Sequence, residues 1–152
     1  MATNTLLQYL QSTDGDGNAL GITPSNRRQV ERFIASSAIA AGDIVALDIT
    51  RTADGEKSLY VVKADTSKGE TTLTIGVALE AAEAKAELNV VIRGLVKDAN
   101  VATGGAVGDR IVGSGTPGRA TQYAAGSSQA VLGYQMAAAA ANKADVFIIK
   151  QF

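Results

Sequence analysis

The chain of 152 residues contains no cysteine, no histidine and no tryptophan, and only two prolines. Without cysteine there is no disulfide framework and no thiolate chemistry. Without histidine, imidazole acid–base catalysis, His-metal sites and every Ser-His or Cys-His nucleophile system are excluded together. Aromatics are scarce, with four Tyr and three Phe, so a large ligand pocket would find little to line it. Neither charge sign is in excess. A formal net charge of −1 creates no global field for a nucleic-acid backbone or an anionic membrane. No apolar run approaches the roughly 20 residues that span a bilayer. The N-terminus "MATNTLLQYLQSTDGDGN" lacks the basic n-region of a secretory signal, so synthesis and use without signal-peptide export are expected.

What is present is small and branched. Sixteen glycines accompany a hydrophobic content of 46%, mostly Ala, Val, Ile and Leu. That composition favours tightly packed strands joined by sharp turns. The length fits one domain with a sizeable core.

The chain also carries an internal correspondence. Residues 75–93, "IGVALEAAEAKAELNVVIR", fall on 132–150, "LGYQMAAAAANKADVFIIK", when shifted by 57 positions. Gly76 then lands on Gly133, Leu79 on Met136, and Ala81, Ala82 and Ala84 on alanines. Upstream, "AAGDIVAL" (40–47) matches "AVGDRIVG" (106–113) at an offset of 66, which places a nine-residue insertion in the first copy. Asp54-Gly55 reads as a two-residue hairpin turn in that copy, and Thr116-Pro117-Gly118 as a tighter connection in the second. Each copy reads strand, turn, strand, loop, strand, alanine-rich link, strand. One such unit is marginal by itself. Two facing each other predict a mainly β fold, a small pseudo-twofold barrel or sandwich.

The alanine-rich links, "EAAEAKAE" and "MAAAAANKA", predict a short helix or a turn. The second has lost its charges, so it is expected to be covered, by the rest of the fold or by a neighbouring molecule. The plainer account is that alanine packs closely between strands. The β-domain is expected over residues 29–152, with halves of about 29–97 and 98–152. Residues 1–28 lie outside both halves and form an extended N-terminal arm, apolar at its tip through Leu6, Leu7, Tyr9 and Leu10. "STDGDGNALG" reads as a loop, and a strand is expected from about Val30 onward.

Several motifs invite chemistry and fall short of it. "DGDGN" at 14–18 begins like a calcium loop, but Ala19 stands where glycine is needed and Ser25 where a bidentate Glu belongs. Asp43 and Asp109 occupy matching places, yet lack the Asp-Thr/Ser-Gly signature of an aspartic-protease dyad; turn aspartates explain both. "TGGAVGDRIVGSG" lacks the Gly-Lys-Ser/Thr ending of a phosphate loop. No catalytic, cofactor or metal residue is expected, and the chain is not read as an enzyme. Arg27, Arg28 and Arg32 form the one basic cluster, either a solvated face or forks onto the carboxylates of a protein partner.

The landmarks "AAGDIVAL", "IGVALEAAEAKAELNVVIRGLV", "VGDRIVGSG" and "VLGYQMAAAAANKADVFIIK", covering about residues 35–152, resemble the small head-decoration (cement) proteins of tailed bacteriophages. The resemblance implies a structural protein of the virion, made in the host cytoplasm. It would bind the outside of an icosahedral capsid and bridge neighbouring major capsid subunits, commonly as a homotrimer. The partner-binding residues expected on this view are Leu6, Leu7, Tyr9, Leu10, Arg27, Arg28 and Arg32, with no nucleic-acid or membrane partner. The rival is another phage module, a tail or spike component holding a glycan on Tyr9, Tyr60, Tyr123 or Tyr134.

Overall fold

The computed structural model describes residues 28–68 and 73–149, together with the backbone of 12–13 and 19–20. Strands β1 (Ser12–Thr13) and β2 (Ala19–Leu20) pair antiparallel, so the flanks of the expected N-terminal loop form a short ladder. The remaining strands are β3 (Gln29–Ala35), β4 (Ile44–Leu47), β5 (Tyr60–Lys63), β6 (Thr74–Ala78) and β7 (Glu87–Asn100). They are followed by β8 (Arg110–Gly113), β9 (Ala120–Gln122), β10 (Gly133–Gln135) and β11 (Lys143–Ile148). The mainly β expectation holds, and the strand expected from about Val30 is β3.

The first five of these strands run in the order β3-β5-β4-β6-β7, and β3 pairs back onto β7 to close a barrel. Closure removes both sheet edges. Alternate residues fill the interior: Phe33, Ala35, Val45, Val61, Leu88, Val90 and Ile92 share one buried cluster. The second set repeats the order as β7-β11-β10-β8-β9. A parallel bridge, Val101 to Ala120, joins its ends as the parallel β3–β5 pairing, Ala35 to Val61, joins the first. The barrel therefore closes within the first half, rather than between two open halves. Strand β7 is long enough to serve both sets, its first part lining one and its second part starting the other.

Equivalent strands keep equivalent registers. Val45 pairs with Gly76 as Ile111 pairs with Gly133. Leu47 pairs with Val61 as Gly113 pairs with Ala120. In the last strand the match slips by one residue from the sequence alignment. Leu79 N–H donates to Asn89 C=O, whereas Met136 N–H donates to Asp145 C=O. Burial follows the slipped register: Leu88, Val90 and Ile92 point inward, as do Ala144, Val146 and Ile148.

The two matching glycines have a steric cause. A Cβ on Gly76 would strike the Val91 carbonyl oxygen, and one on Gly133 would strike that of Phe147. Only glycine lets these strands approach so closely.

Two local expectations change. Asp54-Gly55 is not a two-residue hairpin, because β4 and β5 are separated by residues 48–59. That stretch coils into helix-like turns through Glu56 N–H to Ala53 C=O and Tyr60 N–H to Glu56 C=O. Both alanine-rich links are turns without helix, each built on one isolated bridge, Ile39 to Ala82 and Ala140 to Lys143. The second link is not covered by the fold: Ala138, Ala140 and Ala141 are exposed.

Candidate interaction surfaces

The repeated Gly-Asp pair makes the same turn twice. Gly42 and Gly108 adopt positive φ, 85° and 91°, which a side chain would disfavour. The following aspartate then accepts a backbone N–H three residues upstream. Ala40 N–H donates to Asp43 Oδ2 at 2.9 Å and Ala106 N–H to Asp109 Oδ2 at 2.8 Å. These are turn aspartates in separate halves, one before β4 and one before β8.

Their surroundings differ. Asp43 is 4% exposed and sits at the joint between the halves. It also takes Lys63 Nζ at 3.2 Å and Asn100 Nδ2 at 3.2 Å, while Arg119 Nε donates to Asn100 Oδ1 at 3.2 Å. The tip of the β8–β9 connection lies across the first barrel here. Ile44 N–H donates to Gly118 C=O at 2.9 Å, and Gly118 N–H to Ala64 C=O at 3.0 Å. Thr66 N–H reaches Ser114 C=O at 3.1 Å. Gly118, at φ 75°, is pressed against the Asp43 carboxyl, where a Cβ would come within 2.9 Å of Cγ. Behind these bonds lies an apolar cluster that includes Ile44, Val77 and Val91 of the first half and Val96, Ile111 and Val146 of the second.

A polar groove of about 480 Å³ beside this joint includes Ser36, Asp48, Thr50, Arg51, Lys63 and Asp65. Burial pushes the Asp48 carboxyl up, but it is outweighed by hydrogen bonds from Ser36, Thr50 and Arg51, which hold it down at about 2. Arg51 Nε lies 3.1 Å from Asp48, and its guanidinium stacks 3.9 Å from the Tyr60 ring centroid. Asp65 is also lowered, first by the Ser67 hydroxyl. All these donors are matched within the protein, so the groove is a folded polar network.

The outer face of the second half is different in kind. In register across neighbouring strands lie Arg110, Tyr134, Phe147 and Leu95. Beside Arg110 is Tyr123, whose N–H donates to Arg110 C=O at 2.8 Å and whose ring lies 4.6 Å from the guanidinium carbon. A cleft of about 430 Å³ opens here, lined by Gly108, Asp109, Arg110, Gln122, Tyr123 and Tyr134. Met136 and Val107 are exposed, and the uncovered alanine link follows Met136 in the chain.

Of the residues expected from sequence to bind a partner, Arg28 and Arg32 are among the described residues. Leu6, Leu7, Tyr9, Leu10 and Arg27 lie outside the described residues, as does the 14–18 loop. Arg28 starts the described segment with a buried Nε that has no partner among the described residues. Arg32 on β3 pairs with Glu87 at 3.1 Å, both side chains well exposed, an arrangement of little energetic weight. Of the four tyrosines considered for a glycan, the structure brings Tyr123 and Tyr134 together and places Tyr60 beneath Arg51. The Arg110–Tyr134–Phe147 row was legible only as alternation within single strands; pairing across strands is what assembles it.

No protein-family model matches the chain, and no curated protein matches its sequence. Among solved structures, the chain is similar to the N base of the head fiber gp8.5 of bacteriophage phi29. The TM-score is 0.54 at 19% sequence identity, over 80% of this chain and 94% of that one. The likeness is one of fold.

Proposed function

We propose that the chain is a structural protein of a bacteriophage head. It sits on the outer surface of an icosahedral capsid and bridges neighbouring major capsid subunits as a homo-oligomer, a trimer being favoured. The observation that carries this reading is the fold shared with a phage head fiber base over nearly all of that base's length. It is joined by the resemblance of residues 35–152 to head-decoration proteins. The buried acidic groups support a non-catalytic role, since Asp43 and Asp48 are tied up by internal donors rather than turned toward a substrate. A closed lattice of identical sites would multiply modest contacts into firm attachment.

The test is co-sedimentation of the purified chain with expanded heads of the phage that encodes it, followed by cryo-electron microscopy. Density at regular lattice points on the shell is expected. Failure to pellet with heads at micromolar concentration refutes the proposal. One observation favours a rival, a glycan-holding tail or spike component: Tyr123 and Tyr134 share a cleft with Asp109, Arg110 and Gln122. A glycan array showing saturable binding, with no pelleting on heads, would establish that rival.

A further inference from the structure

The two halves repeat one strand order on a shared strand, and equivalent positions meet different surroundings. Four positions of the first half receive the second half and are covered: Ile44, Val77 and Val91 are fully buried, and Leu79 packs against the same cluster. By strand register and sequence, their counterparts in the second half are Arg110, Tyr134, Phe147 and Met136. None of these is fully buried; Met136 is 49% exposed and Tyr134 39%.

The opposite end shows the reciprocal pattern. Gly118 of the second half inserts its backbone between Ile44 and Ala64, and Val96 is buried in the joint. The counterpart of Gly118 in the first half is Leu59, since Asp48 N–H bonds Tyr60 C=O as Ser114 N–H bonds Arg119 C=O. Leu59 is 47% exposed, and Ile49 on the same connection is exposed too. Among the described residues, Ile49 and Leu59 are thus large hydrophobics exposed on the β4–β5 connection, and Val107, Tyr134 and Met136 are their like on the second half.

We propose that these two ends dock on each other between copies of this chain: the Arg110–Tyr134–Phe147 face of one copy takes the β4–β5 connection of the next. The seat is the cleft bounded by Arg110 and Tyr123, the counterparts of Ile44 and Ala64 that flank Gly118 within the chain. The contact continues an interface that the chain already makes internally. It covers the alanine link whose lost charges call for a neighbour. Because the two surfaces differ, the contact is heterologous and must close into a ring or run on as a filament. This deepens the proposed function by naming the surfaces through which the homo-oligomer forms.

The experiment is sedimentation velocity across a concentration series for the whole chain, with Tyr134→Glu, Leu59→Lys and the double variant. The wild type should form one defined oligomer. Each single variant should raise the concentration for half-assembly by about tenfold or more, since buried aromatic and apolar anchors dominate interfaces. The double variant should recover part of that loss, because the new charges face one another. Urea midpoints close to wild type would show that the folded monomer survives, as expected at exposed sites. A monomeric wild type, or single variants that assemble normally, overturns the proposal. Pelleting with phage heads is scored on the same proteins. A monomeric wild type that still binds heads, and loses binding in Tyr134→Glu, would overturn the contact between copies, assign this face to the capsid and leave the head-binding part of the proposed function standing.

Discussion

Replacing Asp43 and its counterpart Asp109 separately with alanine should expose how differently one motif is used. At both positions the substitution removes a hydrogen bond from a turn N–H, worth about 1 kcal/mol. At Asp109, which is exposed, the cost should end there. At Asp43 it also strands Asn100 Nδ2 and deprives Lys63 of its 3.2 Å partner at the joint. Removing one member of a fully buried ion pair costs about 3–5 kcal/mol. The Lys63 side chain keeps 36% of its surface in water, so the lower end of that range applies, about 3 kcal/mol. With the turn bond the total is about 4 kcal/mol, for a domain of this size a fall in Tm of about 8–16 °C for Asp43→Ala, against about 2–4 °C for Asp109→Ala. The assay is thermal unfolding of the three proteins at one fixed concentration, with urea unfolding giving the free energies and checked for an unchanged m-value. Equal losses at the two positions would refute the reasoning, because the joint would then add nothing to the turn.

Gly76→Ala and Gly133→Ala should each destabilise by more than about 2 kcal/mol, since the new methyl meets a backbone carbonyl that cannot move aside; urea midpoints within error of wild type would contradict this. The folded Asp48 carboxyl titrates at about 2 against 3.8 for the free group, so it contributes about 2 kcal/mol above the unfolded value, lost as pH falls toward 2. The stability gap between wild type and Asp48→Asn should therefore narrow between about pH 5 and about pH 2, and a constant gap would count against the hydrogen-bond account. Deleting residues 1–22 should abolish co-sedimentation with heads if the arm is the attachment anchor; full pelleting of the truncated chain would place attachment in the β-domain.

Much of the fold was legible because its signals were local. The repeat marked β3, by setting residues 29–31 opposite 95–97, alternation marked β5, and the Gly-Asp turns announced themselves by residue type. The pairing of "GDIVAL" with "GDRIVG" fell on strands with matching partners. The β4–β5 connection was misjudged because Asp-Gly is a strong hairpin signal, and only the hydrogen bonds of residues 53–60 show the longer coil. The one-residue slip in β11 was invisible to alignment, since apolar residues run consecutively there and only burial fixes which of them face inward. The candidate surface was the least legible part. Arg110, Tyr134 and Phe147 are 13 to 37 residues apart in sequence and become neighbours only through antiparallel pairing.

Strand β7 gives the barrel and the second set of strands a common wall. Neither can come apart while the other stays whole, because melting one withdraws a side from its twin. Heat, denaturant or mechanical pull therefore meets a single indivisible body with one sharp transition. The amides at the middle of the shared strand, from Val91 to Val96, should be the last to exchange with solvent.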